Sequence, residues 1–265
     1  MSKRQIETVI FDLGETLLNF GRLDRTILFD KALRGSYDYL KEQSQPVHSF
    51  RLYHFFHTWG IRWNLFRSWI TGDDFDSLEL LKGYGRQRNL QMDEAQWEEL
   101  NWRWYQGLSE VGQVEPGTAS ALKELGDMGL KVGLLSNTFV HKCCLERHLK
   151  NEGLLQFLPE RFYSYDFDYR KPDIRIFQDV ARKMNIEAGR TIYVGDRVDN
   201  DVKGSLAAGM LPVLKKAYTN EKAKIPAGTQ QITTISELPG LIRHTCEIPC
   251  SQELTTKEQI VSIER

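Results

Sequence analysis

The sequence of 265 residues has no long apolar run, few cysteines and no excess of charge of one sign. Lysine and arginine total 35 against 36 acidic residues, so no basic field would attract nucleic acid or an anionic membrane, and we expect neither as a partner. No run reaches the roughly 20 apolar residues of a membrane-spanning helix, and the N-terminus, MSKRQIE, lacks the apolar stretch of a signal peptide. We therefore expect a cytoplasmic protein, as a monomer or a homodimer.

The four cysteines do not form a disulfide framework. They lie in two pairs, Cys143 with Cys144 and Cys246 with Cys250. His141 and His148 flank the first pair, but neither pair has the two-residue spacing that is usual for zinc. The cysteines are therefore expected to be reduced thiols.

Short apolar runs alternate with helical segments over much of the chain. The runs cover residues 9–11, 131–135, 162–165, 191–194 and 211–214. They show no polar alternation, which is typical of strands that are buried on both faces. Helical patterns between them predict an α/β fold with a doubly wound parallel sheet.

A helical block interrupts this pattern directly after the first strand. Its predicted helices cover residues 24–43, 47–70, 74–88 and 93–110, the last capped by Asp93. The block contains all six tryptophans, which we expect to form the aromatic core of a small helical domain. The predicted division is a discontinuous core, 1–20 and 112–243, an inserted cap, 21–111, and a polar tail, 244–265.

Five polar residues follow the predicted strands or lie in the adjoining loops: Asp12, Ser136, Lys171, Asp196 and Asp201. In open α/β sheets, ligands bind at the carboxyl ends of the strands. Asp12 and Asp196 offer hard oxygen ligands that suit Mg²⁺, and Asp12 could attack a phosphate. Ser136 and Lys171 could donate to the phosphate oxygens. Asp201 would hold Lys171 or a metal-bound water.

The chain resembles the haloacid dehalogenase-like hydrolase superfamily over about residues 5–240. Four motifs in order carry the resemblance: DLGET at 12–16, LLSN at 134–137, RKPD at 170–173, and the acids of GD at 195–196 and ND at 200–201. The helical block also lies where that family inserts its first type of cap.

The resemblance implies a Rossmann-like hydrolase core and a phosphatase of the phosphoglycolate phosphatase type. Its substrate would be a phosphate monoester of a small metabolite. Asp12 would be the nucleophile that forms an aspartyl-phosphate. Mg²⁺ would be bound by Asp12, Asp196 and the backbone carbonyl of Gly14, while Ser136, Asn137 and Lys171 would bind the phosphate.

One motif position departs from the family pattern. The family's phosphatases usually carry a second aspartate, which protonates the leaving oxygen, where this chain has Gly14. Glu15 could replace it, although adjacent side chains of an extended segment point in opposite directions. The enzyme could instead use substrates with good leaving groups, or take an acid from the cap. Two further readings are a 2-haloacid dehalogenase, which Asp196 disfavours, and a non-catalytic or regulatory phosphate-binding protein.

Two arginines of the predicted cap are candidate contacts for the substrate. Arg62 and Arg67 lie among aromatic residues in GIRWNLFRSW and could clasp a carboxylate or a second phosphate. A solvated position on the helix surface is the competing interpretation. Asn19 and Arg22, at the start of the cap, are further candidates.

Overall fold

The computed structural model describes residues 4–248, and the remaining part of the predicted tail, including Cys250, lies outside them. The strands in this range are β1 Arg4–Gln5, β2 Thr8–Phe11, β3 Lys131–Ser136, β4 Glu160–Tyr163, β5 Thr191–Gly195, β6 Leu211–Lys215, β7 Gln230–Ile232 and β8 Cys246–Glu247. Six of them form a parallel sheet in the order β4-β3-β2-β5-β6-β7, and β1 pairs with β8 in parallel. The predicted α/β fold with a parallel sheet is confirmed.

The helices of the described chain lie between these strands, and five of them follow one another between β2 and β3. They are α1 Arg25–Glu42, α2 Phe50–Thr71, α3 Ser77–Gln87, α4 Glu94–Ser109, α5 Thr118–Asp127, α6 Lys142–Asn151, α7 Ile174–Met184, α8 Lys203–Ala207 and α9 Leu238–Thr245. Within residues 4–248, none of them combines the length and apolar character needed to cross a bilayer.

Aspartates begin three of the first four helices. Asp24 and Asp76 accept hydrogen bonds from backbone N–H groups of α1 and α3. Asp93 caps α4 and forms a reciprocal capping box with Gln96. Such caps satisfy backbone donors that the first helical turn leaves unpaired, which stabilises the helix by about 1 kcal/mol each.

Strand β2 lies at the centre of the sheet and is buried on both faces. Val9, Ile10 and Phe11 have no measurable exposure. Val9 and Phe11 pack into one hydrophobic cluster and Ile10 into another, because successive side chains of a strand point to opposite faces. Asp12 follows directly, so two layers of apolar packing fix its position.

Helices α1–α4, which we call the cap, surround a hydrophobic cluster of their own. Leu33, Leu78, Trp97 and Leu100 lie at its centre. The expectation that the tryptophans form this core is only partly correct. Trp97 and Trp102 are buried, and Trp104 packs partly buried against the cores. Three tryptophans of α2 are exposed instead, at Trp59, Trp63 and Trp69, because that helix carries apolar residues on its outer face as well as on its inner face.

The cap is joined to the sheet by two chain segments that pair with each other. Asn19 and Gln113 exchange two backbone hydrogen bonds of 2.8 and 2.9 Å in antiparallel register. We call this pair the neck. The division of the chain into core and cap stays a prediction, and the neck lies next to its two proposed boundaries.

A second connection runs through Asp74, in the loop between α2 and α3. Its carboxylate is nearly buried and accepts hydrogen bonds from Arg170 Nη1 at 2.8 Å and from the hydroxyls of Ser68 and Ser164. Arg170 and Ser164 lie in core loops at the carboxyl edge of the sheet, so this ion pair holds the cap against that edge.

We expect Arg170→Ala to lower the free energy of unfolding by about 1.5–3 kcal/mol, because it removes a charged hydrogen-bond donor from a buried carboxylate. Urea unfolding followed by tryptophan fluorescence measures the change. Arg175→Ala is the matched control, because Arg175 pairs with Asp173 in solvent and its loss should leave the urea midpoint unchanged. Equal urea midpoints for Arg170→Ala and Arg175→Ala would contradict the role given to Asp74.

Candidate active site

The structure brings the five polar residues of the sequence prediction to one cleft at the carboxyl edge of the sheet. Asp12 follows β2, Ser136 ends β3, Asp196 follows β5, and Lys171 lies in the loop before α7. Asp201 lies in a π-helical turn over Val198–Val202. All five line a cleft of about 300 Å³.

The ammonium group of Lys171 is the centre of the cluster. Its Nζ donates to Asp12 Oδ1 at 2.6 Å, to Asp201 Oδ1 at 2.7 Å and to the Leu135 carbonyl at 3.1 Å. The Tyr193 hydroxyl lies 2.7 Å from the same Nζ and donates to the Leu135 carbonyl. Lys171 is 3% exposed, so these neighbours replace the water that a surface lysine would have.

The backbone of Lys171 is held by Asn137. Its side-chain oxygen accepts from Lys171 N at 2.9 Å, and its Nδ2 donates to the Lys171 carbonyl at 2.8 Å. The sequence prediction assigned Asn137 to phosphate binding. It lines the cleft, but the two bonds show that it positions Lys171.

Asp196 is held by residues of two other loops. Thr16 Oγ1 lies 3.5 Å from Asp196 Oδ1, and the Thr219 hydroxyl donates to Oδ2. Asn220 Nδ2 donates to the Asp196 carbonyl at 2.8 Å. Neither Thr219 nor Asn220 was predicted from the sequence. Their position just after β6, at the edge where the other site residues lie, was the signal that could have identified them.

The site holds more negative than positive charge. Burial raises the pKa of Asp12 to about 6, although the attraction of Lys171 opposes this shift. Burial raises the pKa of Asp196 to about 7, and repulsion from Asp12 and Asp201 adds to it. Burial lowers the pKa of Lys171, but the two carboxylates that it contacts outweigh this effect and hold that pKa well above its ordinary value. Among the buried groups of the cleft, one ammonium group therefore faces three carboxylates, while Arg197 lines the cleft from an exposed position.

The same carboxylates fit a divalent cation. One oxygen from each of Asp12, Asp196 and Asp201 lies within 4.8 Å of the others, and all three residues are buried. Hard carboxylate oxygens are the ligands that Mg²⁺ prefers. Asp201 already accepts from Lys171 and, through Oδ2, from the backbone N–H of Arg197 at 2.8 Å. Asp12 and Asp196 are therefore better placed to bind a metal.

The segment after Asp12 forms a turn, so the argument from an extended chain was wrong. Leu17 and Leu18 both donate backbone hydrogen bonds to the Leu13 carbonyl, and Glu15 has a left-handed φ of 58°. Glu15 lines the cleft. Its Oε1 accepts from the backbone N–H groups of Phe20 and Gly21 at 3.0 and 3.1 Å, and burial raises its pKa.

The cap contributes a largely apolar wall to the cleft. Tyr105 and Leu108 of α4 line it, together with Phe20. The structure does not bring Arg62 and Arg67 to this cleft, since both are exposed on α2. Arg22 forms an exposed ion pair with Glu221, and neither it nor Asn19 lines the cleft.

Comparison with known proteins decides the family. The sequence model of the haloacid dehalogenase-like hydrolase family matches residues 6–209. The chain belongs to this family.

The chain is similar to proteins with different names. Over 130 residues, it is 35% identical to a glyceraldehyde 3-phosphate phosphatase of Methanocaldococcus jannaschii, a match that covers 49% of this chain and 56% of that enzyme. A phosphatase from Thermococcus onnurineus has a similar fold, with a TM-score of 0.54 and 21% identity over 89% of this chain and 98% of that one. A 2-haloacid dehalogenase from Pseudomonas syringae pv. Tomato also has a similar fold, with a TM-score of 0.52 and 20% identity over 90% of this chain and 99% of that one. Both structures show the fold alone.

The close packing of Gly195 against Asp201 leads to a prediction. A Cβ atom at Gly195 would lie 2.4 Å from Asp201 Cγ, so Gly195→Ala must displace the carboxylate that holds Lys171. Overpacking of this kind costs about 1–3 kcal/mol, and calorimetry should show a midpoint lower by about 3–10 °C.

Gly126→Ala is the control for this prediction. Gly126 lies in α5, and a Cβ there meets nothing within 4 Å. We expect its midpoint to be unchanged or higher, because alanine is the better helix former. A Gly195→Ala protein with the same unfolding midpoint as the wild type would contradict the prediction, because it would show that Asp201 can move without loss of stability.

Proposed function

We propose that the protein is a Mg²⁺-dependent phosphatase that hydrolyses a small phosphate monoester through an aspartyl-phosphate on Asp12. The observation that carries the proposal is the excess of buried carboxylate around Lys171 at the bottom of the cleft. A phosphate dianion would add negative charge there, so its binding requires a further cation.

Mg²⁺ would be bound by Asp12, Asp196 and the backbone carbonyl of Gly14. When bound, it would neutralise charge and polarise the phosphoryl group. Asp201, with both oxygens hydrogen bonded, would position Lys171 instead. Thr219 and Thr16 would orient Asp196.

In the first half-reaction, a carboxylate oxygen of Asp12 attacks phosphorus. The bond between phosphorus and the ester oxygen breaks, and that oxygen leaves with the electron pair. Ser136 and Lys171 donate to the non-bridging oxygens, where negative charge lies in the transition state. Because position 14 carries no acid, the leaving oxygen takes its proton from Glu15, from a donor in the cap or, after it has left the cleft, from water.

In the second half-reaction, water attacks the phosphorus of the aspartyl-phosphate. The bond between phosphorus and the Asp12 oxygen breaks, which restores the carboxylate, and inorganic phosphate leaves with the oxygen and both protons of the attacking water. The apolar wall formed by Phe20, Tyr105 and Leu108 would keep bulk water from the first step.

Three observations bear on the alternatives. The phosphatase names of the curated relatives and the buried Asp196 favour phosphate chemistry over dehalogenation. Gly14 favours the second candidate function, a phosphate-binding protein without turnover. Phosphate release under Mg²⁺, abolished by EDTA, separates phosphatase from binding protein, and halide release from a 2-haloacid tests dehalogenation.

The substrate we propose is a small phosphorylated metabolite, because the cleft has a volume of about 300 Å³. Glyceraldehyde 3-phosphate is the first compound to test, since relatives that match about half of this chain carry that name. Phosphoglycolate and nucleoside monophosphates complete the panel.

We expect Asp12→Asn to reduce phosphate release to background while the protein remains folded, because it removes the attacking charge and one metal ligand. Asp199→Asn is the control, since Asp199 pairs with Lys203 at the surface and does not line the cleft. Release by Asp12→Asn above a few per cent of wild type would rule out the aspartyl-phosphate.

A second prediction concerns Gly14, where a Cβ meets nothing within 4 Å and φ is not left-handed. In the wild type, phosphorylation of Asp12 should depend steeply on the leaving-group pKa, with aryl phosphates ahead of alkyl phosphates. Gly14→Asp should flatten that dependence and accelerate alkyl esters by up to about 10²–10⁴-fold, because it supplies an acid.

Glu15→Gln tests the alternative source of that proton. If the rate in the wild type depends only weakly on the leaving-group pKa and this dependence becomes steep in Glu15→Gln, Glu15 is the acid. If the dependence stays weak in Glu15→Gln, the donor lies in the cap. No release of aryl phosphates by the wild type or by Gly14→Asp, with Mg²⁺ present, would favour the binding protein.

A further inference from the structure

Helix α2 exposes an apolar surface that the cleft does not use. Of the fourteen large hydrophobic residues that are exposed in the described chain, nine lie on this helix. Their exposures run from 43% at Phe56 to 74% at Trp69. The opposite face is occupied, because Tyr53, His57, Ile61 and Ser68 are buried.

Six of the exposed residues form a regular stripe, which we call the α2 stripe. They are Leu52, Phe56, Trp59, Trp63, Phe66 and Ile70. Successive members are four, three, four, three and four positions apart, which is the spacing of a helix that packs against another helix. The stripe therefore fits a helical partner better than a peptide strand or a small molecule.

The α2 stripe is symmetric about Ile61. Trp59 and Trp63 lie two positions from it on either side, Phe56 and Phe66 five, and Leu52 and Ile70 nine. An antiparallel copy of α2, related by a two-fold axis at the level of Ile61, would therefore place every member of the stripe opposite another member. Such self-complementarity is what a two-fold interface requires.

The α2 stripe supplies a large part of the area that a stable dimer needs. Its four aromatic members are between 43% and 64% exposed, and aromatic side chains bury about 150–250 Å² each. They therefore offer roughly 320–540 Å², to which Leu52 and Ile70 add. A stable interface buries about 800 Å² on each partner, so residues beside the stripe supply the remainder.

We propose that α2 is the interface of a homodimer, in which the α2 stripes of two copies pack antiparallel about a two-fold axis at Ile61. Neighbouring rings on the exposed surface of the helix contact one another, such as Phe66 with Trp69 and Phe55 with Trp59. The proposal concerns assembly and does not depend on the function proposed for the cleft.

Sedimentation equilibrium of the full chain provides the first test. The wild type should have twice the chain mass of 30.8 kDa at micromolar concentration. Trp63→Glu, next to the axis, should shift the protein to monomer. Leu206→Glu is the control, because Leu206 is 53% exposed on α8 and lies outside the stripe.

Cross-linking tests the orientation. Leu52 and Ile70 of one helix are about 27 Å apart along its axis, but each lies opposite the other in the antiparallel pair. A mixture of Leu52→Cys and Ile70→Cys proteins should form a disulfide-linked dimer under mild oxidation. Either variant alone should cross-link no more than the wild type, which carries the native cysteines.

Three results would overturn the proposal. One is a wild type that remains monomeric at 50 μM, and another is a dimer that Trp63→Glu does not dissociate. The third is a monomer that binds vesicles of phosphatidylcholine and phosphatidylserine through the same residues.

The effect of salt provides a separate test, because α2 carries Arg51, Arg62 and Arg67 but no acid. A homodimer should persist in 0.5 M NaCl, whereas binding to anionic lipid should weaken.

Discussion

The buried ammonium group of Lys171 is the constraint on which the site depends. Removing such a charge from water costs several kcal/mol unless carboxylates and hydrogen-bond acceptors replace the lost hydration. Asp12 and Asp201 do so at 2.6 and 2.7 Å, and each is anchored in turn, Asp12 by the central strand and Asp201 by the backbone of Arg197. Asn137 fixes the lysine backbone. The loops after three strands are thus held together by one positive charge.

The charge of Lys171 does not balance the three buried carboxylates around it. This excess of negative charge links the stability of the fold to the binding of a cation. Burial raises the pKa of Asp196 to about 7, and repulsion from Asp12 and Asp201 adds to this shift. A cation that binds the folded protein relieves this repulsion and stabilises the fold by mass action. The three carboxylates could hold such a cation, and the metal that we propose for the cleft would reduce their repulsion.

Much of the fold and the centre of the site could be predicted from the sequence, because apolar runs define the strands and parallel strands end at one edge. Asp12, Ser136 and Asp196 follow directly from that rule. Thr219 and Asn220 were missed because no pattern distinguishes them from ordinary loop residues. The sequence places all six tryptophans in α2 and α4, but it does not reveal that the three on α2 lie on the exposed face of that helix. The position of Glu15 depends on a left-handed φ, which the residue types around it do not reveal.

The neck between Asn19 and Gln113 has a consequence for how such an enzyme diversifies. The two crossing segments meet through a pair of backbone hydrogen bonds, so the sheet is connected to the cap as it would be to a short hairpin. Closing a longer loop costs little more entropy than closing a shorter one, since the cost grows only with the logarithm of its length. Whole helices can therefore be gained, lost or reshaped beyond this point while the strand ends keep their register. Evolution can change what enters the cleft without changing the chemistry at its floor.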